Sequence, residues 1–185
     1  MAAKHLSGLC GLALALAACA TTELTPQEAA IAASDRGDQK TAINLTEKDV
    51  ARLSAPDQCS NTTNYNCGTL ALAYSTLAQY QILDGDKAAG ETSFAKAKDA
   101  LKLTAKANHP SAAGMVYHDV SEAYWKVGDK TRAVAVFKEG KSAGADSWLL
   151  TASAARIAEP ALFSTPQPPA PAAGKPDGSS SPDRH

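Results

Sequence analysis

Two groups of residues in this 185-residue chain have types and spacings that suit chemistry. Cys59 and Cys67 flank the polar stretch Ser60-Asn61-Thr62-Thr63-Asn64-Tyr65-Asn66. In an oxidising compartment such a pair closes a disulfide. A metal site is the rival, but two thiols eight positions apart with no nearby His make a poor zinc set. The second group is His118, Asp119 and Glu122. A His beside a carboxylate suggests a general base or a metal ligand. Helical neighbours point about 100° apart, which sets Asp119 off the His118 face, whereas Glu122 shares that face at i, i+4. One His and one carboxylate are too few for a metal, so a solvated pair is expected. Gly-rich phosphate loops, HExxH and nucleophile elbows are all missing. The expectation is a protein that is not an enzyme, with no metal and no small-molecule substrate.

The remaining cysteines belong to the N-terminus. Lys4 precedes an apolar run over residues 6–18, too short for an ordinary membrane span. It ends in Leu16-Ala17-Ala18-Cys19, which resembles the lipobox of bacterial lipoproteins. An ordinary secretory signal is the alternative. The resemblance implies that residues 1–18 are a signal peptide, that Cys10 leaves with it, and that Cys19 becomes a lipidated N-terminus. That covalent lipid is the only cofactor-like group expected. Two or more acyl chains anchor a protein stably, at about 0.8 kcal/mol per buried CH₂. Ala20 lacks the Asp that commonly retains lipoproteins at the inner membrane, so the resemblance favours the periplasmic face of the outer membrane.

Helices must position everything else. Residues 117–140 give the clearest pattern: Tyr117, Val120 and Tyr124 share one helical face, and Ala133, Phe137 and Gly140 share one face of a second helix. Gly128 suits the end of the first helix and Asp129 the cap of the next. Tyr74, Leu77, Gly85-Asp86, Lys87 and Phe94 stand 43 residues before Tyr117, Val120, Gly128-Asp129, Lys130 and Phe137. A constant offset means two copies of a helical hairpin.

The aromatic, aliphatic, small, aromatic series at Tyr117, Val120, Ser121 and Tyr124 resembles the tetratricopeptide repeat, with Ala133, Phe137 and Gly140 as its second-helix series. The first copy uses Tyr74, Leu77, Ala78 and Gln81, then Gly90, Phe94 and Ala97. Gln81 replaces an aromatic, Gly90 and Gly140 replace Ala, and the spacing exceeds the usual period of about 34 residues. The resemblance covers residues 70–145. It implies an all-α fold of stacked antiparallel hairpins whose first helices line a groove for a protein partner. Carried over, the groove positions are Leu72, Ser75, Gln79 and Ile82, then Met115, His118, Glu122 and Trp125. Packing of Leu72, Ile82 and Trp125 against neighbouring helices is the alternative.

Around these hairpins, Thr25-Pro26-Gln27-Glu28 reads as a capped helix start. Gly37-Asp38 before Ala42 reads either as a degenerate first hairpin or as a turn before a loose helix over 45–53. The main helices are expected over 68–83, 86–107, 112–127 and 129–143, with Asn108-His109-Pro110 ending the second. A capping helix over 148–159, stopped by Pro160, would use Trp148, Leu149, Ala152 and Ala155 to cover the last pair. The resulting plan is a linker over 19–27, a helical domain over 28–159 with repeats at 68–108 and 112–145, and a disordered Pro/Ala/Ser-rich tail over 160–185. Loss of Lys4 with the signal leaves 17 basic against 19 acidic residues, a formal charge of −2. Without clustered Lys and Arg, nucleic acid is disfavoured as a partner. The expected role is an adaptor for envelope assembly, secretion or cell-wall machinery. A structural spacer is the second reading and an enzyme with an unrecognised site the third.

Overall fold

The computed structural model describes residues 24–164. The chain is all-α, with no strand among the described residues. Six longer helices form three antiparallel hairpins: α1 (Pro26–Asp35) with α2 (Gln39–Leu53), α3 (Cys67–Leu83) with α4 (Lys87–Leu103), and α5 (His109–Lys126) with α6 (Lys130–Ser142). A 3-10 segment (Ser147–Thr151) and two short helices, α7 (Ala155–Ala158) and α8 (Pro160–Phe163), close the described chain.

Local chemistry sets most boundaries. The Thr25 hydroxyl accepts from the Glu28 amide at 3.3 Å, and the Thr25 amide donates to the Glu28 carboxylate at 2.8 Å. This reciprocal pair satisfies donors that α1 leaves free. Gly37, Gly85 and Gly128 take φ of 80°, 94° and 81°, and the following Asp accepts from the third amide of the next helix each time. The Gly37-Asp38 pair therefore does make a first hairpin, on the same device as the other two. It lacks aromatic anchors, and Ala30, Ala33 and Ala42 pack instead against Tyr80 of α3.

Helix α3 is central, contacting α2, α4 and α5, which explains an apolar sequence on nearly all sides. One core runs from Val50 through Phe94, Tyr117, Tyr124 and Phe137 to Ala155. Phe94 and Tyr117 meet edge to face, ring centroids 5.4 Å apart, joining the second hairpin to the third. The Sγ atoms of Cys59 and Cys67 are bonded. Closing that loop stabilises the fold by about 2.5 kcal/mol on the chain-entropy model. It ties the 54–66 connection to the first residue of α3.

Two boundaries differ from the sequence expectation. Helix α4 stops at Leu103, short of 107, because Thr104 turns extended (ψ 139°). Pro110 then sits inside the first turn of α5, where its missing N–H is harmless, so it opens a helix instead of closing one. The expected single helix over 148–159 is broken into two pieces, the 3-10 segment and α7. Long-range bonds hold the break: the Ser153 amide donates to the Glu122 carboxylate, and the Asp146 amide donates to the Pro110 carbonyl at 3.0 Å. Leu149, Ala152 and Ala155 are buried as a cap requires, but Trp148 is half exposed. Pro160 starts α8 and does not end the helical chain. The lipobox, Cys19 and the tail beyond residue 164 lie outside the described residues.

Candidate binding surface

The eight residues expected along a groove do not share one surface. Ser75 is fully buried and donates to the Leu72 carbonyl at 2.9 Å. Ile82 is fully buried under α4, where a Cβ on Gly90 would fall 2.5 Å from its Cγ1. Gln79 is half-buried. On α5, the His118 ring lies 5.7 Å from that of Trp148, and Glu122 holds the Ser153 amide. Trp125 is half-buried against the core with Lys130 Nζ 5.1 Å from its ring centroid.

The physical reason is that a first helix in a stack has two packing neighbours, its own hairpin partner and the next unit. His118 and Glu122 lie on the stripe that meets the C-terminal cap. The same stripe on α3 begins at Gly68, whose Cβ position lies 3.8 Å from Ala112 Cβ of α5. These residues stack units. The expected His118–Glu122 pair is absent, and His118 Nδ1 instead reaches Asp119 Oδ1 at 3.1 Å, despite adjacency on the helix. Among the described residues, no group of three or more His, Cys, Asp or Glu side chains could hold a metal.

Leu72 and Met115 do reach an open surface. Between α1, α2 and α3 lies a pocket of about 170 Å³ lined by Gln27, Ala30, Leu45, Leu72 and Thr76. A second, of about 350 Å³, lies between α3, α5 and the loops before them, lined by Tyr65, Leu72, Thr104, Ser111 and Met115. Thr69 and Leu72 line both, so the two form one surface with Leu72 at its middle. Tyr80, on the α1 side of α3, has its hydroxyl pKa raised by burial and by Asp35 and Asp119. Sequence reasoning missed Thr69 and Thr76. They lie at i−3 and i+4 from Leu72, the stripe left when both packing faces of α3 are subtracted.

On the opposite side, ion pairs clamp α4 to α6. Arg132 donates twice to the Glu91 carboxylate, each at 2.7 Å, and the Tyr124 hydroxyl donates to it at 2.6 Å. Lys87–Asp129 and Lys98–Glu139 add pairs at 2.8 Å each. The Arg132 bonds hold the Glu91 carboxyl below its usual range, and burial pushes the Tyr124 hydroxyl up to about 12. This arrangement fixes the angle between hairpins, and beside it an open, charged pocket of about 500 Å³ is lined by Lys98, Lys102, His109, Tyr117 and Glu139.

Comparison of the chain with protein-family models, with curated proteins and with solved structures yields no match.

Proposed function

We propose that the chain is a lipid-anchored adaptor of the bacterial envelope, holding a segment of another envelope protein along the surface centred on Leu72. The anchor is the lipid on Cys19, at the periplasmic face of the outer membrane. The protein works by binding and not by catalysis. The observation that carries this reading is the continuous, mainly apolar surface from Gln27 to Met115 along the hairpin stack. Its hydroxyl rim of Thr69, Thr76 and Ser111 supplies side-chain hydrogen bonds for an extended peptide.

The test is photocrosslinking in intact cells from position 72, with position 125 as control, and mass spectrometry of the adducts. A single envelope protein captured at 72 and lost on Thr76→Arg is the expected result. Adducts within the chain alone from position 72 would sink the adaptor reading. Intact mass of the purified protein tests lipid on Cys19 separately.

A further inference from the structure

The two ends of the hairpin stack differ in chemistry. One end carries the tight turns Arg36-Gly37-Asp38, Asp84-Gly85-Asp86-Lys87 and Gly128-Asp129-Lys130, and Lys87 pairs with Asp129 across two of them. The other end carries the N-termini of α1, α3 and α5. Pro26 and Gln27 share a pocket with Thr69 and Leu72, and Tyr65 and Thr69 share the next with Ser111 and Met115, so these termini lie side by side. In the loops 54–66 and 104–108 at this end, Asp57 and Lys106 are the only charged residues, and the disulfide-closed span 59–67 has none.

At this end, where the last turns of α2, α4 and α6 bring the basic residues Arg52, Lys102 and Lys141, Leu24 is 60% exposed and Tyr65 89% exposed, the most exposed large apolar side chain among the described residues. Tyr65 stands between the two bonded cysteines, and Asn66 donates to Gln58 at 2.6 Å, so the loop holding the ring outward is tied down at its base. An aromatic body with a polar tip suits the headgroup level of a bilayer, where Tyr and Trp are enriched.

We infer that this end of the stack lies on a lipid bilayer, with Tyr65 and Leu24 seated at the headgroup level. The inference rests on the lipid anchor proposed at Cys19. Cys19 precedes Leu24 by five residues, a reach of about 18 Å at most when extended. A bilayer that holds the lipid is therefore within that distance of Leu24, two residues before α1, at the end of the stack that also carries Tyr65. The lipid supplies residence on the membrane, and the two side chains set orientation. The charged turns then point into the periplasm, and the surface around Leu72 stands at the membrane edge.

The experiment places an environment-sensitive fluorescent amino acid genetically at position 65, or at position 40 near the charged turns, in the full chain. The lipidated protein, verified by intact mass, is reconstituted in phosphatidylethanolamine and phosphatidylglycerol vesicles. Expected at position 65 are a blue shift, quenching by brominated lipid and loss of quenching by aqueous iodide. Position 40 should keep its iodide quenching and ignore the brominated lipid. A lipidated protein in which position 65 behaves like position 40 overturns the inference and leaves the anchor standing. A chain with no lipid on Cys19 overturns the anchor, and the short tether goes with it.

Discussion

Gly90 and Gly140 stand where the repeat resemblance has alanine, and the packing explains both. A Cβ on Gly140 would lie 2.7 Å from Tyr117 Cβ and 2.8 Å from Leu149 Cδ2. Tyr117 Cβ is rooted on the α5 backbone and cannot swing away. Gly140→Ala should therefore cost about 2 kcal/mol in urea unfolding, the middle of the overpacking range. Gly68 is the control, because its Cβ would meet Thr104 Cγ2 at an ordinary 3.5 Å. Gly68→Ala should be neutral or stabilise by up to about 1 kcal/mol through helix propensity. Equal losses in the two variants would refute the packing account. At this scale the sequence was informative: Tyr117, Val120, Tyr124, Ala133, Phe137 and Gly140 are all buried, as their spacing required.

The clamp between α4 and α6 is a property of elements, and it titrates. Glu91 has a lowered native pKa, so its contribution is present above the ordinary carboxylate value of about 4.3 and fades as pH falls through the lowered value. The pair is partly exposed and solvent-screened, so its worth is under about 1 kcal/mol. Tyr117 and Tyr124 are both pushed up to about 12, chiefly by burial. Their contribution is present below the usual value of about 10 and lost as pH rises through the native one. Unfolding midpoints should thus sag in acid and fall in alkali. Arg132→Ala should flatten part of the acid sag, and an unchanged acid profile in that variant would show the clamp to be inert.

Across the whole molecule, stability is graded. Only Ala30 and Ala33 of α1 are buried, whereas α3 buries nine residues. Two alanines remove little apolar surface from water. Amides of α1 should exchange with solvent well before those of α3 and α5 in native-state hydrogen exchange, as a local opening. Uniform protection across the three hairpins would show that the stack opens only as one body. A loosely held α1 next to the proposed anchor would let the rest of the stack adjust to a partner at Leu72.

The sequence by itself determined the helical class, the Gly-Asp turns, the pairing of Cys59 with Cys67 and the apolar stripe within each hairpin. Those follow from neighbours one to eight positions apart, where cap chemistry and helical period leave few choices. Tertiary structure alone decided which remaining faces are open. Periodicity marks a stripe as apolar or polar but carries no record of the next unit, so Ser75, Ile82, His118 and Glu122 read like groove positions until the neighbours that cover them are in place. The broken cap has the same origin, because its bonds run to Glu122 and Pro110, more than thirty residues upstream. Leu72 and Met115 stay open for the complementary reason: among the described residues no later element returns to cover them.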